Sequence, residues 1–256
     1  MTTEGDAAGA ERRSALVASA PRAPAARLGV VVVADMVAAI VTGALHPDEV
    51  LPPEGELSQQ FGVSRTVIRE SVKRIEEKGL VVVAQGRGTT VNPPSMWNVL
   101  DPVVLSAMVD HDDSLGVLDE LSVVRASLEA SMAAAAAERQ TPERTAQLRE
   151  AYANTVRHVG SLNDYNEADA AFHYMIMEQS GNRLASNITR ILFARARESS
   201  RFTRTPQGEV VPQETIDEHH AILEAIVSGD PELAAARMNS HIALAWARRR
   251  PEDRST

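Results

Sequence analysis

The stretch LPPEGELSQQFGVSRTVIRESVKRIEEKGLVVVAQGRGTTV, residues 51–91, decides the fold. Leu51-Pro52-Pro53 stops the chain and opens a short helix over about Glu54–Phe61, because Pro is tolerated in a first helical turn. Gly62-Val63 turns the chain tightly. Ser64 suits the N-cap of a second helix, Arg65–Lys78, and Gly79 suits the position just past its end. The period then changes. Leu80–Ala84 is a β-branched apolar run, Gly86-Arg87-Gly88 a turn, and Thr89-Thr90-Val91 a returning strand. Leu57, Phe61, Val63, Val67, Ile68, Val72 and Ile75 recur at the spacing that packs two helices on one core. Two helices about a short turn, followed by a hairpin, predict a winged helix-turn-helix.

The outer side of the second helix carries Arg65, Thr66, Arg69, Lys73 and Arg74, with Glu70 the only acid before Glu76. Arg65 and Arg69 are four apart and share a face. An Arg on such a face can bond bidentately to guanine O6 and N7 in a major groove. At the hairpin tip, Gly86 and Gly88 let the backbone approach closely, and Arg87 between them can enter a minor groove. Residues 27–95 hold seven basic and eight acidic side chains, so only one face is basic. The residues expected on DNA are Ser64, Arg65, Thr66, Arg69, Arg74, Gly86, Arg87 and Gly88.

Outward from this head the pattern is helical. Upstream, Val31–Thr42 places Val31, Ala34, Met36, Ile40 and Val41 around a helix that ends at Gly43. Met1–Ala26, rich in Ala, Arg and small polar residues, reads as a disordered tail. Downstream, Asn92-Pro93-Pro94-Ser95 is a linker, and Asp101-Pro102 caps a short helix to about Met108. Longer helices are predicted at 117–138, 142–159, 163–179, 183–203, 214–228 and 231–249, punctuated by Gly and Pro, as at Pro206-Gln207-Gly208. The expected chain is mainly α. A 1–26 tail precedes the winged head at 27–92, a linker and short helix fill 93–116, an antiparallel bundle covers 117–249, and 250–256 is a tail.

Composition narrows the chemistry. The absence of Cys excludes disulfides, thiolate metal sites and Cys nucleophiles, and fits a reducing cytoplasm. A net charge of −9 speaks against a histone-like general nucleic-acid binder. The most apolar segment, Leu28–Leu45, carries Asp35 in its middle, which opposes a membrane span.

Five of the seven His follow residue 150. Asp169 and His173, four apart, point the same way. His219 lies ten residues before Gly229 and His241 ten after Pro231. If the two helices run antiparallel about that turn, both His sit roughly 15 Å along, at one level. Each lies on an apolar stripe: His219 with Ile216, Ile222 and Ile226, His241 with Met238 and Leu244. A carboxylate and three imidazoles in one core suit a divalent cation such as Zn, Ni, Co or Mn; the bland alternative is four separately satisfied core groups. His220 shares its face with Asp217 and Glu224 and reads as solvated. Arg125, near Leu121, Leu128 and Glu129, reads either as an i,i+4 ion pair or as a clamp for a ligand carboxylate. Asn166, three before Asp169, can line the same cavity.

The run Leu51–Leu57, then Phe61–Glu70, then Gly79-Leu80-Val81 resembles the head of the GntR family of bacterial transcription regulators. Where that family usually carries a DNA-contacting Arg, this chain has Gly55. The bundle resembles the FCD ligand-binding domain of the FadR subfamily, through Asp169-Ala-Ala-Phe172-His173, Glu218-His219-His220-Ala221-Ile222-Leu223, Gly229-Asp230-Pro231 and Ser240-His241-Ile242. The resemblance implies a homodimeric repressor on a palindromic operator. It also implies a metal (Zn, Ni or Mn) on Asp169, His173, His219 and His241, and an Arg125 facing the metal cavity. Met96–Pro102 and Tyr165–Asp169 are similar to segments of sugar-acid, galactonate-type repressors, which implies a small carboxylate effector such as an aldonate, bound by Arg125 and Asn166. The alternatives are a metalloenzyme built on the bundle and a regulator that responds to metal alone.

Overall fold

Ser64 begins the decisive helix as expected: its side chain accepts a hydrogen bond from the Val67 backbone N–H. The computed structural model describes residues 24–198 and 211–250. In the head, α1 (Pro24–Val41), α2 (Glu54–Gln60) and α3 (Arg65–Glu77) precede a hairpin of β1 (Val81–Ala84) and β2 (Gly88–Val91). The strands pair antiparallel, Val81 opposite Val91 and Ala84 opposite Gly88. A 3-10 turn at Pro94–Met96 leads to α4 (Pro102–His111). The bundle is α5 (Gly116–Ala137), α6 (Pro142–Arg157), α7 (Leu162–Ser180), α8 (Arg183–Glu198), α9 (Gln213–Val227) and α10 (Pro231–Arg249).

Two readings of α1 are corrected. The helix starts at Pro24, well before Val31, so residues 24–26 belong to its first turn. Its buried face is Val32, Val33, Met36, Val37 and Ile40, whereas Val31 and Ala34 are exposed. A run apolar on nearly every side has no phase of its own; packing against α3 and α4 supplies it. The rest of the 1–26 tail, the 251–256 part of the terminal tail, the 199–203 end of the helix predicted at 183–203 and Pro206-Gln207-Gly208 lie outside the described residues.

The head core joins Leu57, Ile68, Val72, Ile75, Leu80, Val81 and Val91 to the α1 face. Glu76 accepts a hydrogen bond from the Val83 N–H at 2.9 Å, tying the wing to α3. Gly79 is required as glycine twice over: its φ is 75°, and a Cβ there would collide with the Met96 carbonyl oxygen. Trp97 packs on this head core, its Nε1–H donating to the Asn92 carbonyl.

The helix α4 runs to His111, beyond the expected Met108, because Val109 is buried too. It serves two cores. Val104 belongs to the head core. Leu105 and Val109 join Leu118 in a separate cluster, flanked by Leu121, Leu192 and Trp246 of the bundle. Behind that cluster, Ala126, Ala133, Ala136 and Ala137 of α5 give a smooth face that packs closely on Met238 and Ile242 of α10. Phe172, Ile176, Ile222 and Ile226 fill the centre.

Candidate functional site

On the head, Arg65, Thr66, Arg69, Lys73 and Arg74 are all exposed along α3, and Ser64 caps it. Arg87 is exposed at the wing tip between Gly86 and Gly88, at φ 77° and 89°. The wing and α3 therefore present one basic face. Sequence reading missed one participant. Glu54, in the first turn of α2, accepts two bonds from Arg69: from Nε at 3.0 Å and from Nη2 at 2.8 Å. Its carboxyl is held below the ordinary value by that bonding, against a smaller opposing effect of burial, with Arg65 adding a further pull.

In the bundle, the level match between α9 and α10 is realised. His219 Nε2 and His241 Nε2 are 3.1 Å apart. Asp169 Oδ1 lies 3.3 Å from His219 Nε2 and 3.9 Å from His173 Nε2. One ligand atom from each of Asp169, His173, His219 and His241 falls within 4.8 Å of the others. The three His are buried. The stripe on α10 differs from expectation: Ala234, Met238, His241 and Ile242 are buried, while Leu244 is exposed. His220 is exposed, its ring 5.6 Å from that of Tyr152.

The outer nitrogens are already engaged. His173 Nδ1 lies 2.5 Å from Glu129 Oε2, and His241 Nδ1 lies 2.8 Å from Glu218 Oε2. His219 Nδ1 is 3.4 Å from the Tyr165 hydroxyl. A carboxylate beside Nδ1 accepts a hydrogen bond from that ring N–H, which fixes the tautomer and leaves the Nε2 lone pair turned inward. Burial lowers the pKa of both His219 and His241, keeping them neutral. Burial would raise the carboxyl pKa of Glu129, Glu218 and Asp169, but the neighbouring Arg and His groups outweigh it in each case. Glu129 falls to about 2 beside Arg125 and His173, and Glu218 to about 2 beside His241 and Arg248. Asp169 is held far below the usual carboxylate range by His173 and His219. Neutral His219 and His241 beside ionised carboxylates are the protonation states that metal ligation requires.

His173 Nε2 tests the fit. It is buried and has no hydrogen-bond partner, which costs about 1–3 kcal/mol unless something accepts its lone pair. Donors each about 2.1 Å from one ion at cis or tetrahedral angles lie roughly 3.0–3.4 Å apart. The His219–His241 and Asp169–His219 separations fall in that range, and the wider ones, all within 4.8 Å, require the side chains to close around the ion. The cluster is thus compatible with a divalent metal.

Beside the cluster is a cavity of about 30 Å³ between α5, α8 and α10. Its walls are mostly apolar, with Leu118, Leu121, Leu192, Phe193 and Trp246 prominent. Arg125 enters it, but is already committed on one side. Its Nε donates to Glu129 Oε1 at 2.5 Å and its guanidinium lies 3.7 Å over the Phe193 ring. The ion pair expected on α5 is therefore present, and it is buried. Thr189 Oγ1, also lining the cavity, is buried without a partner. Asn166 is half-buried and is not among the lining residues. Glu129, Glu218, Tyr165 and Thr189 were not read from the sequence as site residues. Only the Arg125–Glu129 spacing carried a signal, since the others act across helices.

Comparison with known proteins agrees with this architecture. Residues 28–91 match the family model described as bacterial regulatory proteins, gntR family, and residues 120–244 match the FCD domain. The galactonate operon transcriptional repressor of Escherichia coli K12 is 32% identical over 197 residues, 76% of this chain and 85% of that protein. The HTH-type transcriptional regulator LutR of Bacillus subtilis is 27% identical over 210 residues, covering 79% and 92%. Among solved structures, Lar, which controls expression of the Listeria monocytogenes agr system, superposes with a TM-score of 0.52 at 18% identity, covering 90% of this chain and 98% of that one. None of the described helices is long and apolar enough to cross a membrane. A winged head with a basic face, joined through α4 to a helical body with a buried Asp-His-His-His cluster, makes this chain a member of the GntR family of transcription regulators, with an FCD domain as its C-terminal body.

Proposed function

We propose that the protein is a cytoplasmic, homodimeric repressor. In this reading it leaves a palindromic operator when a small carboxylate binds beside a divalent cation in the bundle. The observation that carries the reading is the buried cluster, above all the unpartnered His173 Nε2 with its Nδ1 fixed on Glu129. Asp169, His173, His219 and His241 would hold the cation, with Zn, Ni or Mn suited to this donor set. When bound, the cation supplies a Lewis-acid site for a carboxylate and an adjacent hydroxyl. Arg125 faces the cavity and supplies positive charge to the acid, and Thr189 supplies a hydroxyl. Asn166 reaches a polyol acid only if the cavity extends toward α7.

Two acids have support. Likeness to a galactonate operon repressor favours an aldonate or hexuronate. The apolar lining and a volume that holds about two or three waters favour a compact 2-hydroxy acid. Leu118, Leu121, Leu192 and Trp246 line the cavity and also pack around Leu105 and Val109 of α4. A ligand that reshapes them shifts the population of head positions by its differential affinity for the two states.

A panel of aldonates, hexuronates, lactate, glycolate and citrate, scored by thermal shift with and without chelator, tests the reading. One of these acids should raise the melting temperature only when divalent metal is present, and should release DNA in a gel shift. Stabilisation by fatty acids or acyl-CoA, unaffected by chelator, would overturn it.

On DNA, Ser64, Arg65, Thr66, Arg69 and Arg74 of the recognition helix are assigned to the major groove, and Gly86, Arg87 and Gly88 to the minor groove. Arg69→Ala is expected to cost about 1–3 kcal/mol in affinity for a duplex selected by the wild-type protein from a randomised library, and to relax specificity. Unchanged sequence-specific binding by that variant would remove α3 as the reader.

A further inference from the structure

We propose that Glu54 is a specificity-determining residue: it holds the Arg69 guanidinium in a fixed fork and denies it to phosphates, so that Arg69 binds productively only at a matching base. The inference concerns DNA discrimination and is independent of the metal and the acid.

The geometry is unusual for a surface pair. Both Glu54 oxygens are used, by Nε at 3.0 Å and Nη2 at 2.8 Å, although Arg69 is 71% exposed. An exposed single-point pair is worth little, but a bidentate one sets the plane of the guanidinium. Of the five guanidinium N–H groups, Glu54 takes one on Nε and one on Nη2. The Nη1 group and the second Nη2 hydrogen remain, and they form the parallel donor edge that guanine O6 and N7 accept.

The charge of a second arginine, Arg65, also acts on this carboxylate. At Gly55 a side chain would begin 3.3 Å from Arg65 Nη2, so the Arg65 guanidinium lies over the backbone that glycine leaves bare. Arg65 thus rests against the glycine at 55. Glu54 is thus the acid that acts on both Arg65 and Arg69 of the recognition helix. Glu54, Arg69, Lys73 and Glu76 line one cleft between α3 and the wing, with Gly86 and Gly88 on its far wall.

Two consequences follow from the charge. A carboxylate beside Arg69 cancels most of its attraction for an arbitrary phosphate, which weakens binding to any sequence. Orientation of the remaining donor edge cuts the ordering cost of the base contact, which helps only the matching sequence. Both raise the ratio of specific to non-specific affinity.

The test uses the full-length protein, the library-selected duplex and a scrambled duplex of the same composition, each titrated across a salt series. Glu54→Gln should raise affinity for the scrambled duplex about 3–10-fold and steepen its salt slope by about one phosphate contact. Affinity for the selected duplex should rise less or fall, so the ratio should drop about tenfold. In the Arg69→Ala background, Glu54→Gln should leave the ratio unchanged. Glu54→Met, which has no oxygen to accept from Arg69, should repeat the loss and serves if the Gln variant proves unstable. Equal gains on both duplexes would reduce Glu54 to a plain surface charge and overturn the proposal. So would an unchanged ratio in the single variants, or an effect that survives without Arg69.

Discussion

Replacing Arg125 with alanine is expected to destabilise the bundle by about 3–5 kcal/mol, the range for stripping one partner from a buried ion pair. Glu129 is 1% exposed and binds Arg125 on one oxygen and His173 on the other. Without Arg125 its charge stays buried with half its support, and Phe193 loses the cation stacked on it. A thermal melt should move down by about 10 °C. Arg125→Met with Glu129→Gln should recover part of the loss, because the double variant buries no unpaired charge. A single-variant cost under about 1 kcal/mol would show that the pair does not hold the cluster. The acid dependence follows from Glu129. Its folded pKa of about 2 lies below the ordinary 4.5. Its contribution is therefore complete above about pH 4.5 and disappears as pH falls toward 2. The Arg125→Ala variant should lose much of that acid-sensitive component, which chemical denaturation at a series of pH values would measure.

His219→Ala is the second large effect. Wild-type protein should carry close to one divalent ion per chain by elemental analysis, and the variant essentially none. His219 is the donor nearest both Asp169, at 3.3 Å, and His241, at 3.1 Å, so its loss opens the centre of the set. A ligand at a thousandfold excess over its Kd stabilises the native state by about 4 kcal/mol. Added Zn, Ni or Mn should therefore raise the melting temperature of chelator-treated wild type and leave the variant unmoved. The head core shares no residue with the cluster, so DNA binding at the winged domain should persist. Metal-free wild type that does not respond to any of these ions would reduce the four residues to core polar groups.

The local signals in the chain were strong where they were steric. Ser64 before α3, Asp101-Pro102 before α4, Thr141-Pro142 before α6 and Asp230-Pro231 before α10 all cap the helices they preceded. Gly79 and the Gly86–Gly88 pair occupy the left-handed conformations that only a turn demands. Side-chain spacing on one helix was equally legible, which is why Asp169 with His173 and Arg125 with Glu129 emerged as pairs. The level of His219 against His241 needed only the helical rise and a short turn.

What the sequence determined by itself was thus the set of elements, their caps, the winged head and the four donors. The elements, their caps and the pairings Asp169 with His173 and His219 with His241 depend on spacing along one helix or across one short turn, where covalent geometry dictates the distance. Tertiary structure alone decided the rest. It chose which face of α1 is buried, since Val30 to Val33 are alike in hydrophobicity and packing against α3 and α4 distinguishes them. It turned Glu129 onto His173 from 44 residues away and Glu218 onto His241 from 23 away, orienting the imidazoles. It also brought Glu54 against Arg69, 15 positions on. Charge–charge contacts between helices are set by how their axes cross, and that angle is fixed by the packing of buried side chains across the whole core rather than by any local pattern.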